Sequence, residues 1–379
     1  MTSFLIKEKT KESYEKKIST EPPGTQRCKK YAAKTFDDFA KEQYNSKTST
    51  DVIEELKIIK KNEGEEEYED TLYETLQKWI NWNEARGIGN YTIRVAFSNL
   101  RKYLFHFGIK TQEQDIKQHL RFGKNTKEER YSLSQKEYRA VIDGFAKDPL
   151  TQALFLALGS SGMRIGEALN LRKKDLDTTQ ERIKVNIRPE TKTRQGRSTY
   201  LSMEVQERLK KRLEEIGPND YVFRKTSSKS VHGNCTRSLS RLIKRLGLDE
   251  KYESNGFHKI TSHILRAYFF TKAVRKHGEN YAHRMTGHGG YLMQYDRMTE
   301  DEKLSMYLEL EPDLVIYDQT KNNLKIRQLE NEVAKIGNIE KEIELKDEEI
   351  KKLKDISSSQ VETQKLILDV LKANGIIPK

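Results

Sequence analysis

The chain has 379 residues, 34% charged and 35% hydrophobic, with a net charge of +12. No stretch approaches the ~20 consecutive apolar residues of a membrane span, and the charged run from Met1 to Lys17 lacks the apolar centre of a signal peptide. Cys28 and Cys235 stand far apart without metal-ligand spacing, which argues against a disulfide framework and fits a reducing cytoplasm.

Residues 1–30 read as a flexible, basic and polar N-terminal arm, with Pro22-Pro23-Gly24 breaking any helix. Residues 31–123 have helical periodicity. Leu72, Leu76, Trp79, Ile80 and Trp82 form one apolar stripe, and Tyr91, Val95, Leu100, Tyr103, Leu104 and Phe107 a second, with Gly87 and Gly89 between them. Trp79 and Trp82 belong to the core of this segment rather than to a base-stacking surface. The apolar-free stretch 124–130 is a linker. Residues 131–318 mix helices with one strand pair, and Ser132 or Ser134 caps the first helix.

Residues 319–379 read as a long helical tail with coiled-coil character. Ile326, Leu329, Val333 and Ile336 follow the 3-4 spacing of a seam. Ile339, Ile343, Ile350 and Leu353 follow it three residues out of step, so a stammer or a kink is expected at Gly337-Asn338 and an interruption at Ser357-Ser358-Ser359.

Charge is unevenly spread. From Asp318 onward twelve basic residues balance twelve acidic ones, whereas Arg182 to Arg245 holds seventeen Lys/Arg against six Asp/Glu, a local excess of +11. Such clustering fits a polyanionic partner. Arg237, Arg241, Lys244 and Arg245 recur at helical spacing and are candidate phosphate contacts, together with Arg194 and Arg197.

Five positions in the third segment form an ordered set. Arg164 lies in SSGMRIGEAL, where a glycine precedes a helix start and Glu167 follows three residues on. Ile183, Val185 and Ile187 alternate as a strand, and Ser198 to Leu201 can pair back, leaving Lys192 at the hairpin tip. His263 and Arg266 share one helix face at i,i+3. His288 sits in Gly287-His288-Gly289, followed by Tyr291 and Tyr295.

This ordered set resembles the tyrosine recombinase (phage integrase) family over about 66–318, with the strongest signal from Gly159 to Tyr307. Gly162 to Glu167 matches the G-x-R-x-x-E segment. Lys192, Arg197 and Leu201 match the hairpin spacing, His263 to Arg266 the H-x-x-R box, and Thr286-Gly287-His288 the second histidine box. The run Tyr295 to Tyr307 is similar to archaeal and archaeal-virus members. Tyr295 follows His288 by seven residues where members often place the nucleophile about nine on; Tyr291, only three on, is the weaker candidate.

The resemblance implies a mainly α fold with a small β-sheet: a helical core-binding domain and a recombinase catalytic domain. It implies DNA cleavage and rejoining through a 3′-phosphotyrosine, with Arg164, Lys192, His263, Arg266, His288 and Tyr295 catalytic and Glu167 supporting. No metal or other cofactor is expected. The expected partners are double-stranded DNA and further copies of the chain, as a tetramer on paired sites assisted by the coiled coil. The expected setting is the cytoplasm of a cell hosting a prokaryotic, viral or plasmid element. Type IB topoisomerase-like relaxation and a non-catalytic DNA-bridging role are the alternatives.

Overall fold

The computed structural model describes residues 9–124, 128–189, 196–228, 230–289 and 297–373. Its contacts divide the chain into two units, Met1–Glu129 with Lys251–Phe257, and Arg130–Glu250 with His258–Lys379.

The first unit is helical: α1 (Lys11–Ile18), α2 (Pro23–Gln43), α3 (Ser49–Asn62), α4 (Glu65–Ala85), α5 (Asn90–His106) and α6 (Glu113–His119). The residues read as a flexible arm are instead partly ordered. Thr10 and Ser13 form a capping box, and Tyr14 and Ile18, one turn apart, are buried. Pro23 starts α2 rather than breaking a helix, because the first turn needs no amide donor there. The α4 stripe lies in the core as expected, with Trp79 fully buried and the Arg86 guanidinium 4.1 Å over the Trp82 ring. On α5 the phase differs from the expectation. Ile93, Ala96 and Phe97 face inward with Leu100, Tyr103 and Leu104, whereas Tyr91 and Val95 are exposed.

In the second unit, α7 (Gln135–Asp143), capped by Ser134, leads to α8 (Pro149–Ser161), α9 (Ile165–Asn170), β1 (Leu176–Asp177), β2 (Lys184–Ile187) and β3 (Arg197–Tyr200). Then come α10 (Met203–Glu215), α11 (Val231–Arg245), α12 (Ser262–Thr286), α13 (Glu300–Leu314) and α14 (Asp318–Ala373). Helix α8 is apolar on all sides and is buried from Ala153 to Ser161, so the other elements wrap around it. The expected strand pair is present, with Val185 opposite Thr199 and Ile187 opposite Arg197; β1 adds a short third antiparallel strand. Helix α12 is interrupted at Gly278, whose φ of +83° is left-handed.

Two buried carboxylates hold the end of α13. Glu311 accepts from Arg182 Nε (2.8 and 2.9 Å) and from the Met203 amide (2.6 Å). Glu204 accepts from the amides of Ile316 and Tyr317.

Helix α14 runs for 56 residues without a break, contrary to the expected kink at Gly337 and interruption at Ser357–Ser359. One helical glycine costs about 1 kcal/mol, too little to end a long helix. Ser358 and Ser359 donate back to the Lys354 and Ile356 carbonyls, so their hydroxyls do not compete with the ladder. Only the first turns pack, through buried Leu324 and a 2.8 Å bond from Gln328 to the Leu308 carbonyl. Beyond them the apolar residues of both expected seams are exposed.

Candidate active site

Helix α8 ends at Gly162 with φ +66°, and this left-handed turn sends the chain directly into α9. A side chain there would press within 2.5 Å of the Phe269 ring. Arg164 therefore sits at the α9 N-terminus, where its amide donates to Glu167 Oε2 (2.8 Å) and its guanidinium to Oε1 (2.9 Å). Arg266, on the inner face of α12, is 2% exposed. It donates to the carbonyl of Gly162, to that of Thr286 (2.5 Å) and to His288 Nε2 (3.0 Å); its Nε is buried with no partner among the described residues.

Arg197 departs from its expected role as a DNA contact. Its side chain is turned inward and nearly buried, donating to both oxygens of Glu167 (2.6 and 3.2 Å) and to the Met285 carbonyl (3.0 Å). The direction of a strand residue depends on register, which the spacing from Lys192 to Arg197 does not encode. Arg237, Arg241, Lys244 and Arg245 lie exposed along α11. Lys192, Arg194, Tyr291 and Tyr295 lie outside the described residues.

Arg164, Glu167, His263 and Arg266 line one cleft of about 700 Å³. The cleft also contains groups that no motif pointed to: the Asp175–Arg188 ion pair (2.5 Å), Asn186, and His232 from α11. Histidine and asparagine outside a recognisable spacing carry no sequence signal. Among the described residues no group of three His, Cys, Asp or Glu is arranged to hold a metal, and no helix is long and apolar enough to cross a membrane.

Two guanidiniums, those of Arg164 and Arg197, hold the single carboxylate of Glu167, and Arg266 lies near enough to feel all three charges. Burial pushes that carboxyl up, but the Arg197 bond and charge, with the bonds from Arg164, together outweigh it and hold it below its usual range. The surplus positive potential acts on every nearby base. His288 is pushed down to about 4, first by burial and then by Arg266 and Arg164. His263 is lowered by burial, Arg266, Arg164 and Arg130. Arg266 itself falls to about 9, from burial and its two arginine neighbours. The arginine contribution to these shifts, unlike the burial, favours an anion.

Because Arg266 can only donate, His288 Nε2 must accept, which places the imidazole proton on Nδ1 beside Thr286 Oγ1 at 3.5 Å. His288 in this arrangement is a hydrogen-bond partner of Arg266. A pH dependence follows. The unfolded chain protonates His288 near its ordinary value of 6.5, while the folded chain resists until about 4. Below the upper value the unfolded state binds more protons, so the free protein loses stability as pH falls through that window. Thermal melts should show this slope, and His288→Gln should flatten it. An unchanged slope in the variant would contradict the assignment.

Gly287 closes α12 with φ +67°, and an added Cβ would lie 2.9 Å from Arg197 Cδ. Gly287→Ala should lower the melting temperature, since a left-handed non-glycine residue costs roughly 1–2 kcal/mol before any clash. It should also slow any reaction that needs Arg197 on Glu167. Melting and activity equal to those of the unsubstituted protein would show that the turn tolerates a side chain.

A profile described as Phage integrase family matches residues 131–291. No curated protein gives a significant match. Similar solved structures include a lambda integrase(75-356) dimer bound to a COC' core site, at 16% identity, covering 76% of this chain and 97% of that one with a TM-score of 0.45. XerA recombinase gives 17% identity, 78% and 95% coverage and a TM-score of 0.34. XerH bound to difH substrate gives 21%, 62%, 69% and 0.42. Likenesses this distant transfer nothing to the chain. The profile match is more direct, because it spans Arg164, Glu167, Arg197, His263, Arg266 and His288. Residues 131–291 are thus similar to the phage integrase family.

Proposed function

We propose that the protein is a site-specific tyrosine recombinase, breaking and rejoining duplex DNA through a 3′-phosphotyrosine link. The observation that carries this reading is the pair Arg164 and Arg266 lining one open cleft, with Arg164 and Arg197 held on Glu167 and the buried Nε of Arg266 left without a partner among the described residues.

A phosphodiester resists attack because it is anionic and its leaving alkoxide is poor. Arg164 and Arg266 would hold the non-bridging oxygens and stabilise the charge that grows on them in the transition state. Arg197 would keep Glu167, and through it Arg164, in place. Tyr295 would attack phosphorus while Lys192 protonates the departing 5′-oxygen, and His263, exposed to the cleft with a lowered pKa, would take the tyrosine proton. The phosphotyrosine conserves the bond energy, so attack by a 5′-hydroxyl rejoins the strand without an external energy source. Exposed Arg237, Arg241, Lys244 and Arg245 on α11, together with Arg194, would contact phosphates.

Residues 31–123 serve in this reading as the core-binding domain, 124–130 as the linker and 131–318 as the catalytic domain. The exposed apolar residues of α14 suit self-association on paired sites, as a tetramer assisted by a coiled coil. The run Tyr295 to Tyr307 supports a place near the archaeal and archaeal-virus integrases, and the two unpaired cysteines suit the cytoplasm. The test uses two candidate sites on one supercoiled plasmid in excess chelator. Recombinant circles are expected without added metal. Relaxation without exchange would favour a type IB topoisomerase, and binding without strand breakage a bridging protein.

A further inference from the structure

Strand β3 tethers the protein at two points with two adjacent residues. Arg197 donates to the Met285 carbonyl and packs against Gly287, at the end of α12. Ser198, on the opposite face of the strand, donates to Glu300 Oε2 (2.9 Å) at the start of α13. Three more residues fix the same point. Lys184 of β2 reaches Glu300 Oε2 at 3.0 Å, Tyr200 donates to the Glu300 carbonyl at 3.0 Å, and buried Lys303 pairs with Glu300 while donating to Ser198. Capping of α13 does not explain this cluster, because Glu302 and Thr299 already form the capping box.

We propose that Glu300 is a positioning residue for strand cleavage, joining the start of α13 to the two strands that flank the hairpin lysine. The inference rests on the recombinase reading, in which Tyr295 precedes Glu300 by five residues and Lys192 lies between β2 and β3 in the chain. Glu300 touches no reacting atom. It fixes where the chain leaving the nucleophile is anchored, and it takes its reference from the strands that lead to and from Lys192. Stability alone does not account for so many partners on a carboxylate whose side chain is 42% exposed, since solvated ion pairs contribute only about 0–1 kcal/mol.

Single-turnover cleavage of a suicide DNA substrate at saturating protein tests this, with DNA affinity and melting temperature measured alongside. Glu300→Gln should slow adduct formation by about tenfold, since small misplacements of reacting groups are costly, while affinity is unchanged. Glu300→Asp should recover most of the rate. Because Glu300→Gln also deprives buried Lys303 of its partner, Lys184→Met provides a second variant that leaves the Glu300–Lys303 pair intact; it should slow cleavage in the same sense. Wild-type rates in both variants, beside normal adduct formation by the unsubstituted protein, would overturn the positioning role and leave the recombinase reading standing. Rate losses matched by loss of DNA affinity and not recovered by Asp would also overturn it, as a purely structural effect. No adduct from the unsubstituted protein would remove both.

Discussion

Tyr295→Phe is expected to abolish covalent protein–DNA adducts on a nicked or suicide substrate while leaving DNA binding nearly intact. The substitution removes one oxygen, the atom that would attack phosphorus, and keeps the ring. Affinity for duplex DNA comes mostly from many phosphate contacts, so loss of one hydroxyl changes it little. Cleavage has no substitute nucleophile, because the arginines that activate the phosphate cannot attack it. Adducts persisting in Tyr295→Phe and vanishing in Tyr291→Phe would move the nucleophile to Tyr291, three residues after His288.

Arg164→Ala is expected to have the next largest effect, a fall of about 10²–10³-fold in the adduct rate with DNA affinity and melting temperature largely retained. Arg164 is the better probe of charge stabilisation because its guanidinium is partly exposed to the cleft and holds only Glu167, which Arg197 would continue to hold. Arg266→Ala mixes two effects. It removes the same kind of charge stabilisation, and it also strips donors from the buried carbonyls of Gly162 and Thr286, at about 1–3 kcal/mol each. A variant Arg164→Ala that cleaves at the wild-type rate would show that Arg266 alone carries the transition-state charge.

Much of this arrangement is legible in the amino-acid sequence because its signals are local. Alternation at Ile183, Val185 and Ile187 announces β2, and the i,i+3 spacing of His263 and Arg266 puts both on α12 beside the cleft. The Gly162–Glu167 segment encodes its own turn and its own ion pair.

What escaped sequence reasoning depends on tertiary contacts. Arg197 looks like any basic hairpin residue until register turns it onto Glu167, more than twenty residues away in the chain. Helix α1 is charged throughout and reveals itself only when Tyr14 finds Tyr103 and His106, with ring centroids 5.0 and 5.3 Å away. On α5, Tyr91 and Val95 suggested a phase that buried Ile93, Ala96 and Phe97 correct, because apolar residues stand on more than one face of this helix. The tethers at Glu300 join a strand to a helix about a hundred residues later, a relation no spacing rule records.

The most direct measurement is to trap the covalent complex on a suicide substrate in excess chelator, digest it, and sequence the peptide left on the DNA. A single DNA-linked peptide is expected, with the 3′-phosphate on the side chain of Tyr295. Linkage to any other residue, or the absence of a linked peptide from protein that binds and cuts the DNA, would contradict it.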